Sequence, residues 1–99
     1  MRNGADRQRA LVPRARYDTP PPELARLGAA VKALREARDL KQIEAASRAE
    51  MTESQVSDIE RGKNNPGWLL LMRLLYAGLD ASLHDLADAY ENIGSREGH

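Results

Sequence analysis

The sequence predicts an all-α fold, a compact domain of five helices behind a flexible basic N-terminal arm, and three observations predict it. Apolar residues recur at steps of three and four, as in Leu24, Leu27, Val31 and Leu34, which places them on one stripe of a helix. Helix caps and stops punctuate the chain at Thr52, Gly62 and Ser82. Only four aromatic side chains are available, so the core of a single 99-residue domain must be aliphatic.

The arm comes first. Residues 1–22 hold five arginines (Arg2, Arg7, Arg9, Arg14, Arg16) against Asp6 and Asp18, whereas residues 63–99 hold three basic groups against five acidic ones, in a chain of formal net charge zero. Gly4, Pro13 and the Pro20-Pro21-Pro22 run interrupt any period, so residues 1–19 are read as a mobile arm. Such an arm either follows a phosphate backbone, releasing counterions as it binds, or takes no part in binding. The folded domain is expected over residues 20–93 and a loose tail over 94–99.

The first helix begins after the proline run, where the unused amide donors of a first turn tolerate proline, and ends near Asp39. A second, short helix covers Gln42 to Ala49 and buries Ala45, Ala46 and Ala49, whose small size lets a neighbouring helix come close. Glu50 and Met51 form a tight turn. Thr52 and Gln55 then make a capping box, in which the Thr52 hydroxyl accepts from the Gln55 amide and the Gln55 side chain reaches back. The third helix turns Val56 and Ile59 inward, and Gly62 closes it where a left-handed residue is needed. A fourth helix runs from about Gly67 to Ala77, with Trp68, Leu71, Met72 and Leu75 as its inward side. Ser82 caps a fifth, Leu83 to about Asn92, with Leu83, Leu86 and Tyr90 as its apolar side.

Composition excludes several classes of function. Without cysteine there are no disulfides, zinc-finger thiolates or thiol chemistry, which agrees with a cytoplasmic protein; no metal or other cofactor is expected. The longest apolar run, Trp68 to Met72, is far short of the ~20 residues that span a bilayer, so no membrane partner is expected. His84 and His99 are the only histidines, and His84 beside Asp85 on an exposed helix position does not make a catalytic site; no enzyme activity is expected.

The run LKQIEAASRAEMTESQVSDIERGKNNP, from Leu40 to Pro66, resembles the helix-turn-helix domains of the Cro and lambdoid-repressor type, the xenobiotic-response-element family. Gln42, Ala46, Thr52, Val56, Ser57, Ile59, Glu60, Arg61, Gly62 and Pro66 fall in register with that pattern without a gap, and the likeness extends from about Leu27 to Leu86 with one extra residue around Gly78-Leu79-Asp80. Three positions depart from it. Glu50 stands where the turn glycine is usual, Lys41 where a Ser or Thr caps the second helix, and Ala45 where a leucine is usual, leaving space for Trp68 or Met72 to fill.

The resemblance implies that the third helix enters the DNA major groove while the second rests on the backbone. Position by position, base-edge contacts fall on Thr52, Glu53, Ser54 and Asp58, with Gln55 at their edge. Phosphate contacts fall on Gln42, Lys41, Arg61, Lys63 and the Asn64 amide. Arg35 and Glu60 occupy the places of a partly buried ion pair between the first and third helices, which would leave only Glu53 and Asp58 as acids facing the groove. A carboxylate there can accept from the exocyclic amine of cytosine, though phosphates repel it.

The fourth helix is apolar nearly all round, and Leu69, Leu70 and Tyr76 are left over from the inward stripe. Joined by Tyr90 and Ile93, they are the expected homodimer interface, since members of the family bind two half-sites about one DNA turn apart. The implied function is a sequence-specific DNA-binding transcriptional regulator, a dimeric repressor or autoregulator whose partner is double-stranded DNA at a palindromic operator. The alternative is a protein-binding adaptor or antitoxin of the same fold, docking a protein partner through the exposed residues of the fourth helix.

Overall fold

A computed structural model of the protein describes residues 16–97. Five helices follow one another, and the described part contains no strand beyond a single isolated bridge.

Helix α1 (Pro22–Ala37) starts as the prolines dictate. Pro22 takes the first helical position, and the Pro21 carbonyl accepts from the Leu24 and Ala25 amides at 3.0 Å each. Its buried side is Gly28, Ala30 and Val31, flanked by half-buried Leu27 and Leu34. Gly28 is a contact point: a Cβ there would lie 2.4 Å from the carbonyl oxygens of both Ile59 and Glu60, so only glycine lets α1 cross the end of the third helix this closely.

Helix α2 (Gln42–Ala49) buries Ala45, Ala46 and Ala49. The small face admits a close neighbour as expected, and that neighbour is Gly78, whose added Cβ would stand 2.9 Å from the Ala45 carbonyl. Trp68 does not fill the space left by alanine at position 45; it is 66% exposed. Met72, the other residue expected there, is half-buried against the core.

Helix α3 (Glu53–Glu60) packs Val56 and Ile59 inward and ends through Gly62 at φ +73°, with the Lys63 amide returning to the Asp58 carbonyl at 2.9 Å. Helix α4 (Trp68–Arg73) widens into a π-helical turn (Leu74–Gly78), marked by the bond from the Leu79 amide to the Leu74 carbonyl at 2.8 Å. A π turn takes up an additional residue, and it lies beside the place where the sequence carries one more residue than the family pattern. Leu74, Leu75 and Leu79 are fully buried, Leu71 and Met72 are half-buried, and Trp68 faces outward, contrary to the expected side of this helix.

Helix α5 (Leu83–Glu97) opens on a second capping box: the Asp85 amide donates to Ser82 Oγ at 3.1 Å, and the Ser82 amide donates to Asp85 Oδ2 at 2.8 Å. The helix continues past Asn92 to Glu97, so residues 94–97 of the expected loose tail are helical. The reason is its packing on α1. Leu86 and Ile93 enter the core, and Arg26 donates to the Tyr90 carbonyl at 2.7 Å with its guanidinium 4.1 Å from the Tyr90 ring centre. Among the described residues, every buried polar side-chain atom has a hydrogen-bond partner.

Candidate nucleic-acid interface

The turn between α2 and α3 has the geometry its sequence implies. Glu50 adopts φ 59°, ψ 46°, the left-handed conformation in which a glycine is usual, so the turn is retained at the cost of a side-chain clash rather than reshaped. Lys41 gives α2 no side-chain cap; the Glu44 carboxylate accepts from the Lys41 amide at 2.7 Å and supplies half of one. At the start of α3 both halves of the capping box form, Gln55 N to Thr52 Oγ1 at 3.1 Å and Thr52 N to Gln55 Oε1 at 2.8 Å. The Gln55 oxygen is thereby committed to the backbone, and its side-chain amide nitrogen remains a donor on an exposed residue.

Thr52, Glu53 and Ser54 are exposed at the amino end of α3. Glu60, at the other end, is buried and belongs to the scaffold. Its carboxylate accepts from Arg35 Nε at 2.6 Å, from Arg35 Nη2 at 3.0 Å and from Gln42 Nε2 at 2.9 Å, while Arg35 Nη1 donates to the Leu40 carbonyl at 2.7 Å. The hydrogen bonds and charge of Glu60 push the Arg35 pKa above its ordinary value, so the guanidinium stays charged. Gln42, expected at the phosphates, thus spends one of its two amide hydrogens inside the fold.

Asp58 is not a bare acid. Arg16 Nη1 donates to its Oδ2 at 2.7 Å, Arg61 Nη2 to Oδ1 at 3.1 Å, and Asn64 Nδ2 to Oδ2 at 3.4 Å. The Arg16 hydrogen bond, assisted by Arg61, holds the carboxyl below the usual aspartate pKa despite its partial burial. The expectation that Asp58 faces the groove as a free acceptor is therefore corrected. Glu53 remains as the one α3 carboxylate with no cation in contact among the described residues.

Arg16 is the residue that sequence reasoning placed too loosely. Together with Tyr17 it is docked: Arg16 and Asn64 form an antiparallel bridge, the Tyr17 amide donates to the Lys63 carbonyl at 2.9 Å, and Arg16 Nη1 also reaches Asn64 Oδ1 at 3.2 Å. The end of the expected arm is thus tied to the loop after α3. Arg2, Arg7, Arg9 and Arg14 lie outside the described residues. A two-residue pairing leaves no periodic signal in the sequence to read.

Lys41 and Arg61 are exposed, and Lys63 and Asn64 half-exposed, around the same end of the molecule as α2 and α3 begin and end. The expected dimer residues separate into two groups. Leu69 and Tyr76 are 68% and 54% exposed, whereas Leu70 packs partly on the core, Tyr90 is engaged by Arg26, and Ile93 is buried within the chain. Tyr90, half-buried, and Ile93, buried, take part in the α1–α5 contact within the chain. Among the described residues no cluster of His, Asp or Glu has the makings of a metal site, and no helix is long and apolar enough to cross a membrane. The Asp85 carboxylate is spent on the α5 cap, so the His84–Asp85 pair is not set up as a relay.

Solved structures share this arrangement. The chain is similar to the clp gene regulator ClgR from Corynebacterium glutamicum, with a TM-score of 0.71 and 24% identity over 79% of this chain and 82% of that one. It is also similar to the restriction-modification controller protein C.AhdI from Aeromonas hydrophila, with a TM-score of 0.61 and 28% identity over 65% and 96%. The wild-type restriction-modification controller protein C.Esp1396I superposes with a TM-score of 0.67 at 19% identity, over 73% and 93%. No curated protein matches the sequence. The helix-turn-helix domain family matches residues 26–89, well over half of the chain and the whole of α2, the turn and α3. With the turn, both caps and the Arg35–Glu60 brace in place, the resemblance read from residues 40–66 is borne out, and the chain belongs to the helix-turn-helix domain family.

Proposed function

We propose that the protein is a sequence-specific DNA-binding transcriptional regulator, a dimeric repressor or autoregulator that binds a palindromic operator through α3. The observation that carries this reading is the electrostatic state of α3. Two of its three acids are compensated within the chain, leaving Thr52, Glu53, Ser54 and the Gln55 amide as an exposed polar edge on a near-neutral helix. Glu53 then acts as an acceptor for cytosine N4, and Thr52 and Ser54 pair with base edges. Lys41, Arg61, Lys63, the second Gln42 amide hydrogen and the Asn64 amide supply backbone contacts. That two of the similar structures are a gene regulator and a controller protein supports the regulatory role, and with it a cytoplasmic location.

We place the dimer surface on the exposed apolar side chains of α4, its π turn and the start of α5. Trp68, Leu69, Tyr76 and Leu83 are its exposed apolar members, and Tyr76 Oη accepts from the Leu83 amide at 3.1 Å, joining the π turn that ends α4 to the start of α5. The same exposure favours the second reading, an adaptor or antitoxin whose partner is a protein.

A salt titration of binding to the DNA upstream of the protein's own gene separates the two. The regulator loses affinity steeply as salt rises. An absence of any shifted complex at low salt favours the adaptor.

A further inference from the structure

We propose that Arg16 is a base-reading residue, contributed from outside the helix-turn-helix, that recognises a guanine beside the bases met by α3. The assignment rests on the reading above, in which α3 lies in the major groove. Asp58 follows Ser54 by four residues, one turn further along the same helix face. Arg16 is seated on Asp58, so its guanidinium extends that face.

The geometry distinguishes a reading group from a loose cation. The backbone of residues 16 and 17 is pinned to residues 63 and 64, and Nη1 is fixed by both Asp58 Oδ2 and Asn64 Oδ1. Yet the side chain is 62% exposed, and Nε and Nη2 have no partner among the described residues. A planar fork held by one nitrogen presents its other edge in a set direction, the arrangement that matches the paired N7 and O6 acceptors of guanine. A phosphate can take the same fork, but Lys63 and Arg61 already stand beside the loop for that purpose, whereas Arg16 is seated on the face of α3. Asp58 and Asn64 are positioning residues: they aim Arg16 and do not themselves meet a base. A helix face that would repel DNA becomes a donor surface by borrowing one arginine from the arm.

The test uses the full chain and an operator obtained by selection from random DNA, with every base pair of one half-site replaced in turn. For Arg16→Ala and Arg16→Lys, discrimination at one G·C pair per half-site falls about ten-fold or more while preferences elsewhere are kept, since lysine lacks the fork. Asp58→Ala blunts discrimination at that same pair. A uniform loss across the panel with a shallower salt slope makes Arg16 a phosphate contact and overturns the assignment. An unaltered panel does so as well. Wild-type protein that discriminates among no base pairs overturns the DNA-reading function itself, and this assignment with it.

Discussion

Arg35 on α1 grips Glu60 on α3 with two hydrogen bonds, 2.6 and 3.0 Å long, in a pair whose side chains are only 11% and 3% exposed. The pair sets α3 against the rest of the fold, and Gln42 from α2 joins it on the same carboxylate. α1, α2 and α3 therefore meet at one acid.

Removing one member of this cluster leaves a buried charge without its partner. Glu60→Ala is expected to cost about 3–5 kcal/mol, read from the shift in denaturant midpoint. The double change Arg35→Met with Glu60→Leu should cost much less, because no unpaired charge remains. A loss below about 1 kcal/mol for the single change would mean that α3 is held by its apolar contacts alone.

Gly28 faces backbone, not flexible side chains, so the clash of an added methyl cannot be relieved locally. Gly28→Ala should destabilise by about 3 kcal/mol as α1 is forced away from α3. Thermal unfolding measures it. A midpoint equal to wild type would show that the two helices separate without penalty.

Glu50 carries a left-handed backbone on a residue with a Cβ. Glu50→Gly relieves that strain but adds freedom to the unfolded chain, so the net gain is roughly 0.5–1 kcal/mol. Chemical denaturation should show a higher midpoint with an unchanged slope, and a lower midpoint would assign Glu50 a stabilising contact instead.

The arm's docking depends on pH. Because the folded Asp58 pKa lies below its ordinary value, ionised Asp58 stabilises the fold above about pH 4, and that contribution is lost as pH falls through the folded value. Arg16→Ala should move the Asp58 titration upward, since the Arg16 hydrogen bond is the largest cause of the depression. Carboxyl carbon chemical shifts followed from pH 6 to pH 2 (about the range that brackets an aspartate) report it; an unmoved titration would place Arg16 away from Asp58 in solution.

Leu69 is the most exposed apolar side chain of α4 and touches the core least. Leu69→Glu is expected to give monomers in sedimentation equilibrium without loss of helicity. Dimers that survive it would put the two-fold contact elsewhere.

Local rules made much of this molecule legible. The Thr52–Gln55 and Ser82–Asp85 boxes, the Gly62 stop and the bounds of α2 follow from residues within a few positions of each other, and the Arg35–Glu60 pair follows from the family pattern. What could not be read depends on contacts across the fold. Trp68, the first residue of α4, faces solvent; α5, packed on α1, runs on past its expected end; and Asp58 is paired with an arginine 42 residues away. The helix-turn-helix is legible in the sequence, but the charge state of α3 cannot be assigned from its own residues.

Selection of binding sites from random DNA tests the central claim most directly. The account predicts an enriched palindrome whose half-sites lie about one helical turn apart, and a changed base preference when Glu53 and Ser54 are replaced by alanine. A pool that stays random at low salt, with the protein folded, would contradict it.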